Sequence, residues 1–135
     1  MVTQTTPYGI STTVALDYGA AVVAIKEALA REGFGVLSEI DVSATLKKKL
    51  DVDFRPYVIL GACNPPLAYQ ALSAERDIGL LLPCNVIVYA DDEPGHSVIA
   101  ALDPVEALQL TGRDDIRSLA EEVRARLTRA LDRVQ

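Results

Sequence analysis

The sequence is poor in the residues that catalytic and metal sites most often use. It has two cysteines, one histidine and no tryptophan in 135 residues. Phenylalanine and tyrosine are also few, so valine, leucine, isoleucine and alanine must fill the interior. No glycine-rich phosphate loop, Gly-x-Ser-x-Gly or His-Glu-x-x-His motif occurs. The sequence therefore carries no mark of the commonest nucleotide-binding, serine-hydrolase or zinc-protease sites.

Long apolar runs and an N-terminal targeting pattern are also missing. No run approaches the roughly 20 apolar residues that a membrane span needs, and the first ten residues contain no Lys or Arg. We therefore expect neither a membrane span nor a signal peptide. The default compartment is the cytoplasm, where thiols are usually reduced.

Basic residues are outnumbered by acidic ones, 13 to 19, which gives a net charge of −6. Nucleic-acid binding needs a basic surface against the phosphates, so we expect no nucleic-acid partner. The length fits one domain, and the apolar half of the residues is enough for one core. We predict a single α+β domain over residues 1–135, with residues 1–6 flexible because they are polar.

Runs of apolar and β-branched residues between turn signals predict five strands, at residues 8–16, 34–40, 57–63, 80–90 and 96–102. Helical patterns lie between them, and an apolar stripe over residues 116–134 predicts a long C-terminal helix. The turn signal at residues 91–95 makes the last two strands a hairpin, which disfavours an all-parallel sheet. We expect a mainly antiparallel sheet with helices on one face.

The two cysteines occur in matching contexts, because each lies beside an apolar run and each is followed by asparagine. If the strands at 57–63 and 80–90 are antiparallel neighbours, both cysteines lie at the same edge of the sheet. If the strands are parallel, the cysteines lie at opposite ends. On the antiparallel arrangement, we predict a ligand-binding site made by Cys63, Asn64, Cys84 and Asn85.

Several interpretations of the cysteines remain open. Cys63 precedes a helix start, whose positive end stabilises a thiolate, so it could be reactive with Cys84 as its resolving partner. Alternatively, Cys63 and Cys84 could bind a soft metal such as Cu(I) or Zn²⁺. Zinc usually takes four ligands, and the chain adds only His96. A disulfide is a third interpretation. The last is that both cysteines pack as small apolar residues while the asparagines brace turns.

The segments around the cysteines resemble a known family, domain of unknown function 302. They read Tyr-Val-Ile-Leu-Gly-Ala-Cys-Asn-Pro at 57–65 and Ile-Gly-Leu-Leu-Leu-Pro-Cys-Asn-Val at 78–86. Phe-Gly-Val-Leu at 34–37 and Asp-Pro at 103–104 also fit, and the resemblance covers roughly residues 8–133. It implies a curved antiparallel sheet with a topology like that of the TATA-binding protein, a long C-terminal helix and a homodimer. It implies no catalytic residue, because the family has no established activity.

The leading hypothesis at this point is a small cytoplasmic protein that binds a ligand, a soft metal or a sulfur species at a cysteine pair. The alternatives are a thiol-dependent enzyme or redox carrier, and a structural dimeric interaction module. An apolar ligand enclosed between the sheet and a helix is a minor option. The sequence does not identify a cofactor.

Overall fold

A six-stranded sheet is the framework of the computed structural model, which describes residues 2–134. The strands are β1 (Thr3–Thr6), β2 (Gly9–Val14), β3 (Gly35–Asp41), β4 (Tyr57–Cys63), β5 (Cys84–Ala90) and β6 (Ser97–Leu102). Their order across the sheet is β1-β2-β6-β5-β4-β3. All neighbouring pairs run antiparallel.

Helices make most of the connections between the strands. The α-helices in residues 2–134 are α1 (Tyr18–Arg31), α2 (Val42–Leu50), α3 (Pro65–Ala74), α4 (Pro104–Leu108) and α5 (Asp114–Arg133). Short 3-10 helices cover Arg76–Leu81 and Gln109–Thr111. None of the helices in the described part of the chain is long and apolar enough to cross a membrane.

One face of the sheet packs against α1 and α5 and forms the main core. Side chains alternate between the two faces along a strand, so the inward side chains of β4 are Val58, Leu60 and Ala62, all of them buried. The two helices contribute apolar side chains of their own, among them Ile25, Leu29, Leu127 and Leu131. Burial of each such leucine or isoleucine contributes about 1.5–3 kcal/mol, and this packing holds the helices on one face.

The opposite face of the sheet is uncharged. Residues directly opposite each other in an antiparallel ladder share a face. One row contains Ser11, Ala100, Ile87, Ile59 and Ile40, and the next contains Thr13, Val98, Tyr89 and Tyr57. We call these nine residues the open face; among them, Ser11 is buried. The rings of its two tyrosines are stacked, with centroids 5.4 Å apart.

Much of the sequence-based fold prediction is confirmed. The protein is α+β, the sheet is antiparallel, and a 20-residue helix lies at the C-terminal end. The strands predicted at 80–90 and 96–102 are the hairpin β5–β6. The strands at 57–63 and 80–90 are antiparallel neighbours, as β4 and β5.

Two parts of the prediction need correction, and a third is not confirmed. The sheet has six strands rather than five, because Thr3–Thr6, within the segment expected to be flexible, pairs with β2. Met1 belongs to that prediction and lies outside the described residues. The strand predicted to begin at residue 80 begins at Cys84, since Arg76–Leu81 is a 3-10 helix and Pro83 has no N–H for a ladder. The topology like that of the TATA-binding protein is not confirmed.

Candidate functional site

The end of β4 leads directly into α3, and this junction positions the first half of the predicted site. Asn64 is the N-cap of α3, with an extended backbone, and Pro65 takes the first helical position. The Leu67 N–H donates to Asn64 Oδ1 at 3.3 Å. A side-chain acceptor at the N-cap and a proline just inside the helix are both favourable there, so these residues begin the helix at this point.

Asn64 also binds the end of another helix. Its Nδ2 donates to the main-chain oxygen of Glu32, just after α1, at 3.4 Å. The residue is 6% exposed. Its amide oxygen and nitrogen each have a protein partner, so Asn64 holds the start of α3 against the end of α1. Its contact with a ligand stays a prediction.

The two cysteines are free thiols, and the predicted cysteine pair is not confirmed. Cys84 lies opposite Ala62 in the β4–β5 ladder, whereas Cys63 is one residue further along β4. Side chains alternate along a strand, so the ladder assigns the two cysteines to opposite faces of the sheet. The antiparallel arrangement was predicted correctly, but the one-residue offset separates the thiols.

Burial changes the chemistry of Cys84. It raises the pKa of the Cys84 thiol to about 11 from 9.0, and the neighbouring Cys63 adds a smaller effect in the same direction. The thiolate is the form that binds a metal or attacks an electrophile. Cys84 is therefore held as a neutral thiol near neutral pH, which suits packing better than metal binding.

No group of three or more histidine, cysteine, aspartate or glutamate side chains that could hold a metal ion occurs within residues 2–134. His96, the possible third ligand, precedes β6 in the β5–β6 turn, with its Nδ1 3.1 Å from the main-chain oxygen of Pro94. Cys84 starts β5, at the other end of that strand. A strand of seven residues spans roughly 20 Å, so His96 cannot complete a site with Cys84.

Asn85 directly follows Cys84 and, because side chains alternate along a strand, lies on the other face of the sheet from it. It is exposed and stands opposite Gly61 in the β4–β5 ladder. It lines a shallow depression on the strand surface with Ile87 and Tyr89. The sequence pattern paired Asn64 with Asn85, but Asn64 is buried and Asn85 is exposed.

An apolar cavity of about 400 Å³ adjoins the junction of β4, α3 and β5. Both cysteines and Asn64 line it, together with side chains of α3, α4 and α5. The polar side chains in its wall belong to Ser38, Cys63, Asn64 and Cys84, and none of its lining residues is charged. The volume is within the range of known ligand pockets, which are mostly apolar with a few polar groups.

The wall of the cavity formed by α3 has a simple sequence basis. Ala68 and Ala71 leave space where larger residues would fill it, and Leu67 and Leu72 extend the apolar surface along the same helix. The empty volume beside them depends on how far α4 and α5 stand from α3, which no local pattern encodes.

Gly61 permits close packing near the mouth of the cavity. A Cβ at this position would overlap Ser38 Oγ and lie 3.0 Å from Pro83 Cγ. Both neighbours line the cavity. The absence of a side chain at residue 61 therefore lets β3 and the segment before β5 close over the sheet at this edge.

Comparison with known proteins agrees with this architecture. The family model described as domain of unknown function DUF302 matches residues 10–134. The chain belongs to this family. A solved structure described as uncharacterized conserved protein DUF302 from Bacillus stearothermophilus is 30% identical, with a TM-score of 0.87. The similarity covers 96% of this chain and all of that one. No curated protein matches this DUF302 chain, so the comparisons transfer no activity to it.

Proposed function

We propose that this DUF302 protein binds a small, uncharged, apolar molecule in the cavity beside α3. The observation that carries the proposal is the absence of charge from the lining of a 400 Å³ cavity that is otherwise almost wholly apolar. Transfer of an apolar molecule from water into such a cavity is favourable in proportion to the apolar area that it buries. A charged ligand would lose its hydration there without gaining an ionic partner.

This proposal keeps the predicted ligand-binding role and changes the chemistry of the ligand. A soft-metal site at Cys63 and Cys84 has less support, because burial favours the neutral thiol at Cys84 and the ladder assigns the two residues to opposite faces. A redox carrier with Cys84 as resolving partner meets the same obstacle. The cytoplasm remains the proposed compartment.

The test uses N-phenyl-1-naphthylamine, an uncharged fluorophore that brightens in apolar surroundings. We expect saturable binding with one site per chain. The variant Ala68→Phe narrows the cavity, since Ala68 is half-buried in its wall. Gln70→Phe is the matched control, because it adds the same ring to an exposed position of the same helix. Binding that persists in Ala68→Phe, or that is absent from the native protein, would reject the proposal.

We also propose that the protein is a homodimer that pairs through the open face. That surface carries no charge although the chain carries −6, so two copies meet there with the least repulsion. The whole outward face of the sheet around it, five strands about 4.8 Å apart and roughly six residues long, has a projected area on the order of 500 Å². The exposed ring of Phe54 packs beside Tyr57, at 6.1 Å between centroids, and extends the apolar surface. The accessible surface of the side chains is larger than this projected area. It brings the patch toward the roughly 800 Å² per partner of a typical interface.

Sedimentation equilibrium tests the dimer. Ile87→Lys places a charge in the middle of the open face, and we expect it to convert the dimer to a monomer. Val23→Lys is the matched control, because Val23 is exposed on α1, away from this face. A monomeric native protein, or a dimer that survives Ile87→Lys, would show that the open face is not the interface.

A further inference from the structure

The cavity has an apolar inner end and a mouth beside the edge strand β3. The inner end is lined by buried residues that include Phe34, Ala62 and Ala71. Two exposed residues of β3, Leu37 and Ser38, line the mouth. A ligand that fills the inner end and extends toward water therefore passes these two side chains.

Leu37 and Ser38 both line the cavity because β3 contains a bulge at this point. Val36 and Ser38 pair with consecutive residues of β4, so Leu37 is an extra residue without a partner there. Neighbouring side chains of a regular strand point to opposite faces, whereas a bulge bends the strand and redirects its side chains. The bulge thus accounts for two consecutive residues in the lining of one cavity.

The hydroxyl of Ser38 is available to a ligand. Gly61 leaves room for it, since a Cβ at residue 61 would overlap Ser38 Oγ. Ser38 is exposed, and no group within residues 2–134 forms a hydrogen bond with its hydroxyl. Of the other polar side chains in the lining, Asn64 already has two protein partners. The thiols of Cys63 and Cys84 are weak hydrogen-bonding groups, whereas a hydroxyl both donates and accepts.

We infer that the ligands of this cavity are apolar alcohols, and that Ser38 selects them by a hydrogen bond to their hydroxyl group at the mouth. The inference rests on the proposed function, because the cavity must first bind the apolar body of the molecule. A ligand hydroxyl at the mouth exchanges a hydrogen bond to water for one to Ser38, so it is not buried without a partner. An apolar cavity of about 150 Å³ admits benzene. The cavity of about 400 Å³ therefore accommodates two fused six-membered rings.

The experiment compares 2-tetralol with tetralin, which has the same fused rings without the hydroxyl, in NMR titrations that follow the methyl groups of the cavity. Ser38→Ala should weaken the binding of 2-tetralol about three- to tenfold and leave that of tetralin within about twofold. Ser73→Ala is the matched control, because Ser73 is an exposed residue of α3 outside the lining. It should leave both affinities unchanged. A Ser38→Ala variant that weakens both compounds equally, or neither, would overturn the inference.

Leu37→Ala tests whether the ligand reaches the mouth. Leu37 is 71% exposed, so its truncation should leave the unfolding temperature unchanged. The affinity for both compounds should fall at least about threefold, because the ligand covers this side chain. Leu110→Ala is the matched control, since Leu110 is 78% exposed and lies outside the lining. Unchanged affinity in Leu37→Ala would place the ligand away from the mouth and overturn the inference.

The two compounds also separate the failure of this inference from the failure of the proposed function. Binding of tetralin and 2-tetralol that does not depend on Ser38 would overturn the inference and leave the proposed function standing. Failure of both compounds to bind the native protein would overturn both.

Discussion

The side-chain amide of Asn64 donates to the main-chain oxygen of Glu32 across 3.4 Å, and so joins the start of α3 to the end of α1. Glu32 is itself held by α5, because its carboxylate accepts from Arg129 Nε at 2.9 Å. Its main-chain oxygen also accepts from Arg126 at 3.2 Å. Asn64 and Glu32 together thus connect three helices.

Two replacements of Asn64 should distinguish the contributions of its two hydrogen bonds to stability. Asn64→Ser keeps an acceptor for the helix cap but is too short to reach Glu32, whereas Asn64→Ala loses both contacts. We expect the alanine variant to lower the free energy of unfolding by about 1–2 kcal/mol and the serine variant by less. Urea unfolding measures both values. Equal losses in the two variants would contradict the capping role.

Gly61 should tolerate no side chain. Gly61→Ala forces Ser38 and Pro83 away from the strand, and we expect a loss of about 1–3 kcal/mol of stability. The double variant Gly61→Ala, Ser38→Ala should recover part of the loss, because it removes the hydroxyl that the new methyl group meets. Urea unfolding of the three proteins gives the coupling between the sites.

Gly35 supplies the control for that experiment. It also lies in a strand, but no atom lies within 4 Å of the position that its Cβ would take. Gly35→Ala should therefore be neutral or stabilising by about 0.5–1 kcal/mol, through the lower entropy of the unfolded chain. A similar loss at both glycines would mean that strand position, rather than the contact with Ser38, sets the effect.

The sequence was sufficient to predict the helices and strands that have strong local signals. The run of Tyr, Val, Ile and Leu that begins at residue 57 predicted β4, and the apolar stripe over 116–134 predicted α5. The helix start predicted after Cys63 is that of α3, which begins at Pro65. In contrast, β1 contains only Thr and Gln. It is an exposed edge strand, so its sequence has no apolar alternation to reveal it.

The candidate site depended on non-local information. A shift of one residue in strand register moves a side chain to the other face. The register Ala62↔Cys84 therefore decides that Cys63 and Cys84 are offset, and no residue near either cysteine encodes it. The cavity is likewise the space left between α3, α4 and α5, so it follows from tertiary packing and not from a motif.

The contributions of Asp103 and Arg124 to the free energy of unfolding should depend strongly on each other. Asp103 is 3% exposed, caps α4 through its bond from the Val105 N–H, and accepts from Arg124 Nε at 2.9 Å. Arg124→Met leaves a buried carboxylate without its cation, and we expect a loss of about 1–2 kcal/mol, moderated because the arginine is half-exposed. The double variant Asp103→Asn, Arg124→Met should be more stable than Arg124→Met alone. Unfolding at pH 7 measures this, and a less stable double variant would contradict the prediction.

Stability should fall at alkaline pH through Cys84. Burial, with a smaller effect of Cys63, raises the pKa of Cys84 in the folded protein to about 11 from 9.0. Between these values the unfolded chain has lost the thiol proton and the folded protein has kept it, so the favourable contribution is complete below pH 9 and declines up to about pH 11. The decline should total about 2–3 kcal/mol. Cys84→Ala should lack it.

The comparison of Cys84→Ala with the native protein is needed because tyrosines titrate in the same range. Burial is the main cause that raises the pKa of Tyr18 and of Tyr57, and both residues are present in both proteins. Urea unfolding at intervals from pH 8 to pH 10.5 should give two curves whose separation changes steadily above pH 9. Parallel curves would show that the thiol ionises as readily in the folded protein as in the unfolded chain, so that the Cys84 side of the cavity is wet rather than apolar.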